Sequence, residues 1–300
     1  MTGDTVRISV VVPAYDAWDT LPKALDALRR QVDRPDRELL LVESSGTRTR
    51  EELTRRWPWA RVLAPGARTL PGHARNLALE HARGELLAFT DADAIPEPEW
   101  LDELERALRP DVAAVAGAVV NGTPGSSVGT GGYLLEFAAW LPGRPGVPLH
   151  GATCNLLIRR DVLTKLGGFR TDLWPGEDTV LTFPLGERGR LVFAPRARVT
   201  HLNRTRFPDL VRHQYRLGVS FSEVCRQVDF PLRTATRLPL ALVAGPLRVP
   251  VLWLRLRRWR VLPRRQASVW PAAFAGACAW SAGLTVAAAR RGLGHRRRSA

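Results

Sequence analysis

Leu86-Leu87-Ala88-Phe89-Thr90-Asp91-Ala92-Asp93 passes from a short apolar run directly into two carboxylates. The apolar run predicts a buried strand. Because side chains two residues apart in a strand or turn point to the same side, we expect Asp91 and Asp93 to project together. Two carboxylates at the carboxyl end of a strand can hold a hard cation such as Mg²⁺ or Mn²⁺, which would neutralise a diphosphate. A D-x-D sequence is weak evidence by itself, and its place after a strand strengthens it.

Strand and helix signals alternate around this stretch. Apolar or β-branched runs predict strands, and leucines at helical spacing predict helices. The predicted strands are 8–13, 39–42, 62–63 and 112–120, and the predicted helices are 20–31, 70–82 and 96–108. The alternation predicts an α/β fold with a mostly parallel sheet and helices on both faces. Such sheets bind ligands at the carboxyl ends of their strands.

The pattern changes after residue 120. Residues 121–150 are rich in Gly, Pro and Ser, which predicts either a flexible loop over the site or a linker without a role. Further elements are predicted beyond that segment: a strand at 154–159, helices at 161–166 and 177–188, strand-like runs at 192–193 and 197–201, and an amphipathic helix at 207–228.

Two further places carry candidate chemistry. Glu177-Asp178 opens a predicted helix after Trp174-Pro175-Gly176. A carboxylate there is either a helix N-cap or a general base for an acceptor hydroxyl. His201 follows a strand-like run and is either structural or a further metal ligand. Residue type alone favours the structural interpretation in both cases.

Taken together, the motifs resemble the family 2 glycosyltransferases, which have the GT-A fold, a Rossmann-like α/β fold. The resemblance covers about residues 7–215, and the order and spacing of its motifs are specific. The motifs, as they stand in this sequence, are Val11-Val12-Pro13-Ala14-Tyr15-Asp16, Gly72-His73-Ala74-Arg75-Asn76, Thr90-Asp91-Ala92-Asp93, Gly167-Gly168-Phe169 and Glu177-Asp178.

The resemblance implies a role for each site residue. The residues expected to bind the nucleotide-sugar donor are Pro13, Ala14, Tyr15, Asp16, Glu43, Arg75 and Asp91. Asp93 and His201, with Asp91, are expected to hold a divalent metal, Mg²⁺ or Mn²⁺. Asp178 would be the catalytic base, with Gly176 and Glu177 on the acceptor side. A single in-line attack by the activated hydroxyl would invert the anomeric carbon.

Two departures from the family pattern have consequences. The second strand ends in Val42-Glu43-Ser44-Ser45-Gly46 instead of the usual aspartate pair, so Glu43 is one methylene longer and the donor is expected to be unusual. Processive members carry Q-x-x-R-W, whereas this chain has Gln214-Tyr215-Arg216-Leu217-Gly218 without the tryptophan. We therefore expect transfer of single sugars to a hydroxyl acceptor.

The positive charge is concentrated near the carboxyl terminus. Residues 231–300 contain 14 arginines and no acidic residue, while residues 1–230 hold 30 basic and 29 acidic side chains. We therefore predict two domains, a glycosyltransferase domain at 1–230 and a basic, helical, membrane-associating extension at 231–300. Because the extension is apolar as well as basic, it suits an anionic membrane surface, and no nucleic-acid partner is expected. The nearly neutral body is expected to fold without it.

The extension contains two long apolar stretches, Leu238 to Leu256 and Val269 to Ala289. The second is long enough to span a bilayer. If either crossed outward, arginines would face outside, against the positive-inside rule. Monotopic or re-entrant helices on the cytoplasmic face are therefore preferred, with a span at 269–289 and two soluble core helices as the alternatives.

The remaining sequence features agree with a cytoplasmic enzyme. Cys154, Cys225 and Cys278 are widely spaced and odd in number, which fits a reducing compartment, and no signal peptide is expected in residues 1–12. Two other classes stay open: a nucleotide-sugar-binding protein without catalysis, and a basic membrane-surface adaptor.

Overall fold

The computed structural model of this chain describes residues 6–48, 50–263 and 266–296, and the side chains of residue 266 and of 291–296 are not described. The strands are β1 (Ile8–Ala14), β2 (Arg37–Glu43), β3 (Arg61–Leu63), β4 (Leu86–Thr90), β5 (Ala94–Pro96), β6 (Ala114–Asn121), β7 (Asn155–Arg159) and β8 (Leu191–His201). The α-helices are α1 (Leu21–Val32), α2 (Arg50–Arg56), α3 (Pro71–His81), α4 (Trp100–Ala107), α5 (Ser127–Phe137), α6 (Arg160–Lys165), α7 (Glu177–Glu187), α8 (Phe207–Gln227), α9 (Leu240–Arg258) and α10 (Gln266–Arg296). Two short 3-10 helices lie at Ala138–Trp140 and Arg233–Thr236.

The chain divides into two compact units. The sheet unit comprises Met1–Val120 and Gly146–Leu202, and the helical unit comprises Asn121–Pro145 and Asn203–Ala300. The two units are defined by contacts between residues and not by charge. Residues 121–145 and 203–230 lie outside the basic extension but belong to the same unit as its helices. The division into domains at residue 230 stays a prediction about composition and charge.

The sheet unit is built on one mixed eight-stranded sheet in the order β3-β2-β1-β4-β7-β6-β8-β5. The pairs β3–β2, β2–β1 and β1–β4 are parallel. The chain then reverses, because β7 pairs antiparallel with both β4 and β6, and β5 pairs antiparallel with β8. The expected parallel arrangement therefore holds for one half of the sheet.

The parallel strands β1, β2 and β4 are buried along nearly their whole length. Ile8, Val10, Leu40 and Phe89 have no exposed surface, as expected for strands with helices on both faces. In the registered pairs Ala14 lies beside Glu43, and Thr90 lies beside Asn155. The carboxyl ends of β1, β2 and β4 therefore meet at one edge of the sheet, where the candidate site lies.

Several predicted elements differ from those observed. The predicted loop or linker at 121–150 contains α5, whose first turn is capped by Ser126 Oγ accepting from Gly129 N at 3.0 Å. The helix predicted from residue 96 begins at Trp100, because Ala94–Pro96 pairs with β8 instead. The two strand-like runs at 192–193 and 197–201 form one continuous strand, β8.

In the helical unit, α10 packs against α5, α8 and α9. Glycines permit the close approach, since an added Cβ at Gly218 of α8 would lie 1.9 Å from Trp280 O and one at Gly245 of α9 would lie 2.0 Å from Ala277 O. The hydroxyl of Ser281 also accepts a hydrogen bond from Gly245 N at 2.7 Å. One face of α10 is therefore buried in a protein core.

Within the described residues one helical stretch, Ala267–Arg290, is long and apolar enough to cross a bilayer. Its most apolar window has a mean hydropathy of 1.5, and 44% of that window is buried against protein. Length and composition do not separate a membrane span from a core helix. The arginines at 264, 265, 297 and 298 lie outside the described residues.

Candidate active site

The first part of the site is the carboxyl end of β1. Pro13 and Ala14 complete the strand, and Tyr15 and Asp16 follow it in an exposed turn. Asp16 has the left-handed φ of +49°, which turns the chain sharply out of the sheet. Tyr15 is 45% exposed, and the Arg68 guanidinium lies 4.5 Å from the centroid of its ring. This corner therefore presents an aromatic face and a cation to solvent.

Glu43 lies at the end of β2, beside Ala14. Its side chain is buried, and Oε1 accepts a hydrogen bond from Ser45 N at 2.9 Å. Its Oε2 atom has no hydrogen-bond partner among the described residues. The longer carboxylate thus closes its own turn with one oxygen, while the other oxygen is buried at the strand end without a hydrogen-bond partner among the described residues.

Arg75 of α3 joins two acidic segments that are far apart in the sequence. Its Nη1 donates to Glu177 Oε1 at 2.6 Å, and its Nη2 donates to Asp91 Oδ1 at 2.8 Å. The guanidinium is buried and lies 5.7 Å from the Phe169 ring centroid. Burial opposes its charge, but Asp91, Glu177 and Asp178 outweigh burial and raise the pKa of Arg75. Arg75 therefore fixes the start of α7 against the end of β4.

Asp91, Asp93 and His201 lie around the turn between β4 and β5. The β5–β8 pairing sets Ala94 opposite His201, and His201 Nε2 is 3.6 Å from Asp93 Oδ1. Leu202 N also donates to Asp93 O at 2.8 Å. Burial raises the pKa of Asp91, Asp93 raises it further, and Arg75 and His201 oppose both effects. The three residues predicted to hold a metal are therefore neighbours.

The donor types at this turn fit a divalent cation, since two carboxylates and an imidazole suit Mg²⁺ or Mn²⁺. Asp93 is the more open of the two aspartates, because Asp91 is held by Arg75. Among the described residues, no group of three acidic, histidine or cysteine side chains is already arranged as a metal site. The side chains of Asp91, Asp93 and His201 are suitable ligands for a divalent cation, and they would come into ligand positions when the cation binds.

The start of α7 carries the predicted base. Gly176, with φ of +112°, occupies the N-cap position, so Glu177 and Asp178 stand in the first turn and are not N-caps. Asp178 is half-buried, and its carboxylate accepts from Thr179 N at 2.7 Å and from Thr153 N at 3.3 Å. Burial raises the pKa of Glu177 to about 7, against the effect of Arg75. The two adjacent carboxylates therefore differ, with Glu177 buried beside Arg75 and Asp178 partly open.

Sequence reasoning missed the residues that hold Asp178. Thr179 Oγ1 lies 3.3 Å from His150 Nδ1, and Thr182 Oγ1 accepts from Gly151 N at 2.9 Å. Burial lowers the pKa of His150, although Asp178 raises it. His150 and Gly151 lie in the segment before β7. They come near Asp178 because β7 runs antiparallel to β4, which returns that segment to the carboxyl end of β4. The sequence carries no signal for that reversal.

Comparison with known proteins identifies the family of this chain. The family model described as glycosyl transferase family 2 matches residues 9–167, more than half of the chain. Glycosyltransferase AglE of Haloferax volcanii is 26% identical over 264 residues, which are 83% of this chain and 84% of that protein.

Two solved structures share the fold. The mannosyltransferase PcManGT from Pyrobaculum calidifontis, in complex with GDP-Man and Mn²⁺, has a TM-score of 0.62 at 23% identity over 96% of this chain and 87% of its own. Glucosyl-3-phosphoglycerate synthase from Mycobacterium tuberculosis, in complex with Mn²⁺, UDP and glucosyl-3-phosphoglycerate, has a TM-score of 0.52 at 19% identity over 75% and 81%. From the matching family model, the GT-A fold and the clustered acidic motifs, the chain belongs to glycosyl transferase family 2 and transfers a sugar from a nucleotide-sugar donor.

Proposed function

We propose that this enzyme moves a single sugar to an acceptor hydroxyl with inversion, and that Asp178 takes the proton of that hydroxyl. The observation that carries the proposal is the bridge from Asp91 through Arg75 to Glu177. It holds the partly open carboxylate of Asp178, the next residue, near the strand end that carries the acidic motif. A general base must be held in place near the hydroxyl, and the hydrogen bonds from Thr153 N and Thr179 N to the Asp178 carboxylate support this role.

On the donor side, the nucleotide would lie against the ends of β1 and β2. Pro13, Ala14, Tyr15 and Asp16 would border it, with Glu43 offering Oε2 to the base or ribose. The exposed Tyr15 ring supports this placement, because an aromatic face can stack on a nucleotide base. Arg75 and Asp91 would complete the donor site.

On the acceptor side, Gly176 and Glu177 would border the hydroxyl beside Asp178. The hydroxyl oxygen would form the new bond to the anomeric carbon as its proton passes to Asp178, and the bond to the diphosphate would break. Glu177 would keep its contact with Arg75, so Asp178 alone would move a proton.

A divalent cation would be held by Asp93 and His201 together with Asp91, and when bound it would supply positive charge for the diphosphate leaving group. The donor types support this assignment, as does the Mn²⁺ in the mannosyltransferase that shares the fold. The carboxylates of Asp91 and Asp93 would fix the position of the cation. The positive charge of Arg75 offsets part of their negative charge, which reduces the charge that the cation must balance.

The acceptor would lie at the cytoplasmic face of a membrane. The support is the composition of residues 231–300, which contain 14 arginines, no acidic residue and two apolar helices. A lipid-linked or membrane-near acceptor fits that location. Monotopic attachment is preferred to a span at 269–289, because α10 packs against three other helices.

The test is release of nucleoside diphosphate from a panel of nucleotide-sugars, with Mn²⁺ or with chelator. We expect one donor to be used, with activity lost in chelator and in Asp93→Ala. Asp111→Ala, an exposed aspartate in the same unit, is the matched control and should keep full activity. Donor binding without turnover under every condition would favour a binding protein, and full activity of Asp93→Ala in chelator would exclude the metal role.

A further inference from the structure

A cavity of about 600 Å³, largely open to solvent, lies in the helical unit at the carboxyl end of α9. It is lined by Gly143, Pro145, Arg255, Arg258 and Trp259. All five residues belong to the helical unit, and none is assigned to the sugar-transfer site. Two arginines and a tryptophan around one cavity are the side chains that favour an anionic group with an apolar body.

The charge around this cavity is not balanced within the described residues. Neither Arg255 nor Arg258 forms an ion pair there, and both are exposed. A third cation, Arg144, lies with its guanidinium 5.9 Å from the Trp259 ring centroid. Burial lowers the pKa of Arg144, and Arg255 lowers it further. Mutual repulsion among these arginines would be relieved by a bound anion.

An exposed apolar stripe leads along α9 toward the cavity. Its large side chains recur at helical spacing and are 46–60% exposed: Leu240, Val243, Leu247, Val251 and Leu254. The buried residues of α9 are Ala241, Gly245, Val249 and Leu256, of which only Leu256 is large. This is the reverse of a helix in a water-soluble protein, which buries its large apolar residues.

We propose that α9 lies in the surface of an anionic bilayer, with the stripe among the acyl chains and the headgroup phosphate of an anionic phospholipid in the cavity between Arg255 and Arg258. The planar guanidinium groups can each donate two hydrogen bonds to phosphate oxygens. The Trp259 ring suits the boundary between headgroups and acyl chains. The proposal deepens the membrane location in the proposed function and rests on it, and it assigns the contact to α9, with α10 as the core helix behind it.

Charge and shape together favour a bilayer over another partner. An apolar stripe beside arginines, without acidic residues in 231–300, is complementary to a surface that is both apolar and anionic. A free phosphate would occupy the cavity without using the stripe. Vesicles and a soluble phosphate ester therefore separate the two sources of the same chemistry.

The experiment is flotation of the full-length protein with phosphatidylcholine vesicles, with and without phosphatidylglycerol. We compare wild type with the double variant Arg255→Gln/Arg258→Gln and with Arg216→Gln/Arg237→Gln, which removes the same charge from exposed sites in the same unit. A third variant, Leu247→Ser/Val251→Ser, tests the stripe. Nucleoside diphosphate release by each variant reports separately on the sugar-transfer site.

We expect wild type to float with phosphatidylglycerol vesicles and the Arg255/Arg258 variant to lose at least about tenfold in apparent affinity, because each basic residue contributes on the order of 1 kcal/mol. The Arg216/Arg237 control should lose clearly less, and the stripe variant should bind weakly even at low salt. Equal losses in the two arginine variants would overturn the cavity, and unaltered binding of the stripe variant would overturn the α9 contact.

Two further outcomes decide the source of the anion and the membrane location. Release of wild type from vesicles by glycerol phosphate at low concentration would point to a soluble anion and overturn the lipid assignment. Absence of flotation by wild type would overturn both the cavity and the membrane location, while leaving sugar transfer to be judged by nucleoside diphosphate release.

Discussion

Arg75 is the residue on which the geometry of the site most depends. It is buried and contacts Glu177, which is 102 residues away along the chain, and Asp91, which is 16 residues away. Breaking a buried ion pair leaves an uncompensated charge, so we expect Arg75→Ala to lower the free energy of unfolding by about 3–5 kcal/mol. Urea denaturation measures the change.

The matched control for Arg75 is Lys165→Ala, which removes the exposed pair between Lys165 Nζ and Asp161 Oδ2 at 3.0 Å. An exposed pair of this kind contributes less than about 1 kcal/mol. Similar losses in the two variants would mean that the buried bridge does not hold the site together.

Glu177 gives the molecule a pH dependence of known sign. Burial raises its folded-state pKa to about 7, so between about pH 4.5 and 7 the folded state binds more protons than the unfolded state. The free energy of unfolding therefore falls through that range as pH rises, by at most about 3 kcal/mol. Glu177→Gln resembles the protonated form, so its free energy of unfolding should rise relative to that of wild type between pH 4.5 and 7. Thermal unfolding of both proteins across that range measures it, and a constant difference would contradict the prediction.

The sequence predicted some residues of the site better than others. Asp91 and Asp93 follow a buried apolar strand, and a strand end is where ligands bind, so their position was predictable. His150 and Thr153 were not, because they reach Asp178 only through the antiparallel return of β7. Local pattern does not encode the direction of a strand that pairs with a distant partner.

Among the elements, long periodic segments were predicted and short or atypical ones were not. The strands β1, β2 and β4 are continuous apolar runs, and α1 has leucines at helical spacing. By contrast, β5 has three residues and forms only through its pairing with β8. The glycines of α5 lower its intrinsic helix propensity, so the sequence did not predict this helix. They are tolerated because α5 is buried in the fold.

The close contact between α8 and α10 sets the next prediction. An added methyl at Gly218 would lie 1.9 Å from Trp280 O, so Gly218→Ala should force the helices apart and lower the free energy of unfolding by about 1–3 kcal/mol, despite the higher helix propensity of alanine. Chemical denaturation followed by circular dichroism measures it. Gly125→Ala in the same unit meets no atom within 4 Å and should be nearly neutral. Equal effects of the two substitutions would show that α8 and α10 do not pack this closely.

At the scale of the whole molecule, charge and packing divide the chain differently. Composition places the boundary near residue 230, whereas α5 and α8 pack with the helices beyond it. Charge is readable from sequence alone, but which helices share a core depends on contacts between distant segments. The expectation that the body folds without the extension stays a prediction, and the contacts of α10 with α5 and α8 give a reason to expect the opposite.

Truncation after Asp229 tests whether residues 1–229 fold without the extension. It would remove α9 and α10 and expose the face of α8 that includes Phe221, whose ring centroid lies 5.2 Å from that of Trp280. We expect the truncated chain to aggregate or to lose helical content, measured by size-exclusion chromatography and circular dichroism beside the intact protein. A monomeric truncated chain with unchanged donor affinity would contradict this expectation.

Asp178→Asn tests the claim that Asp178 acts as the base of a nucleotide-sugar transferase. The amide keeps the shape, and its one oxygen can still accept from Thr179 N, but its NH2 group replaces the oxygen that accepts from Thr153 N and the amide cannot take a proton. The decisive measurement is kcat and donor affinity of Asp178→Asn and wild type, with the donor found in the panel. We predict unchanged donor affinity and a kcat lowered by roughly 10²–10⁴-fold. Loss of donor affinity together with kcat, or a kcat equal to that of wild type, would contradict the claim.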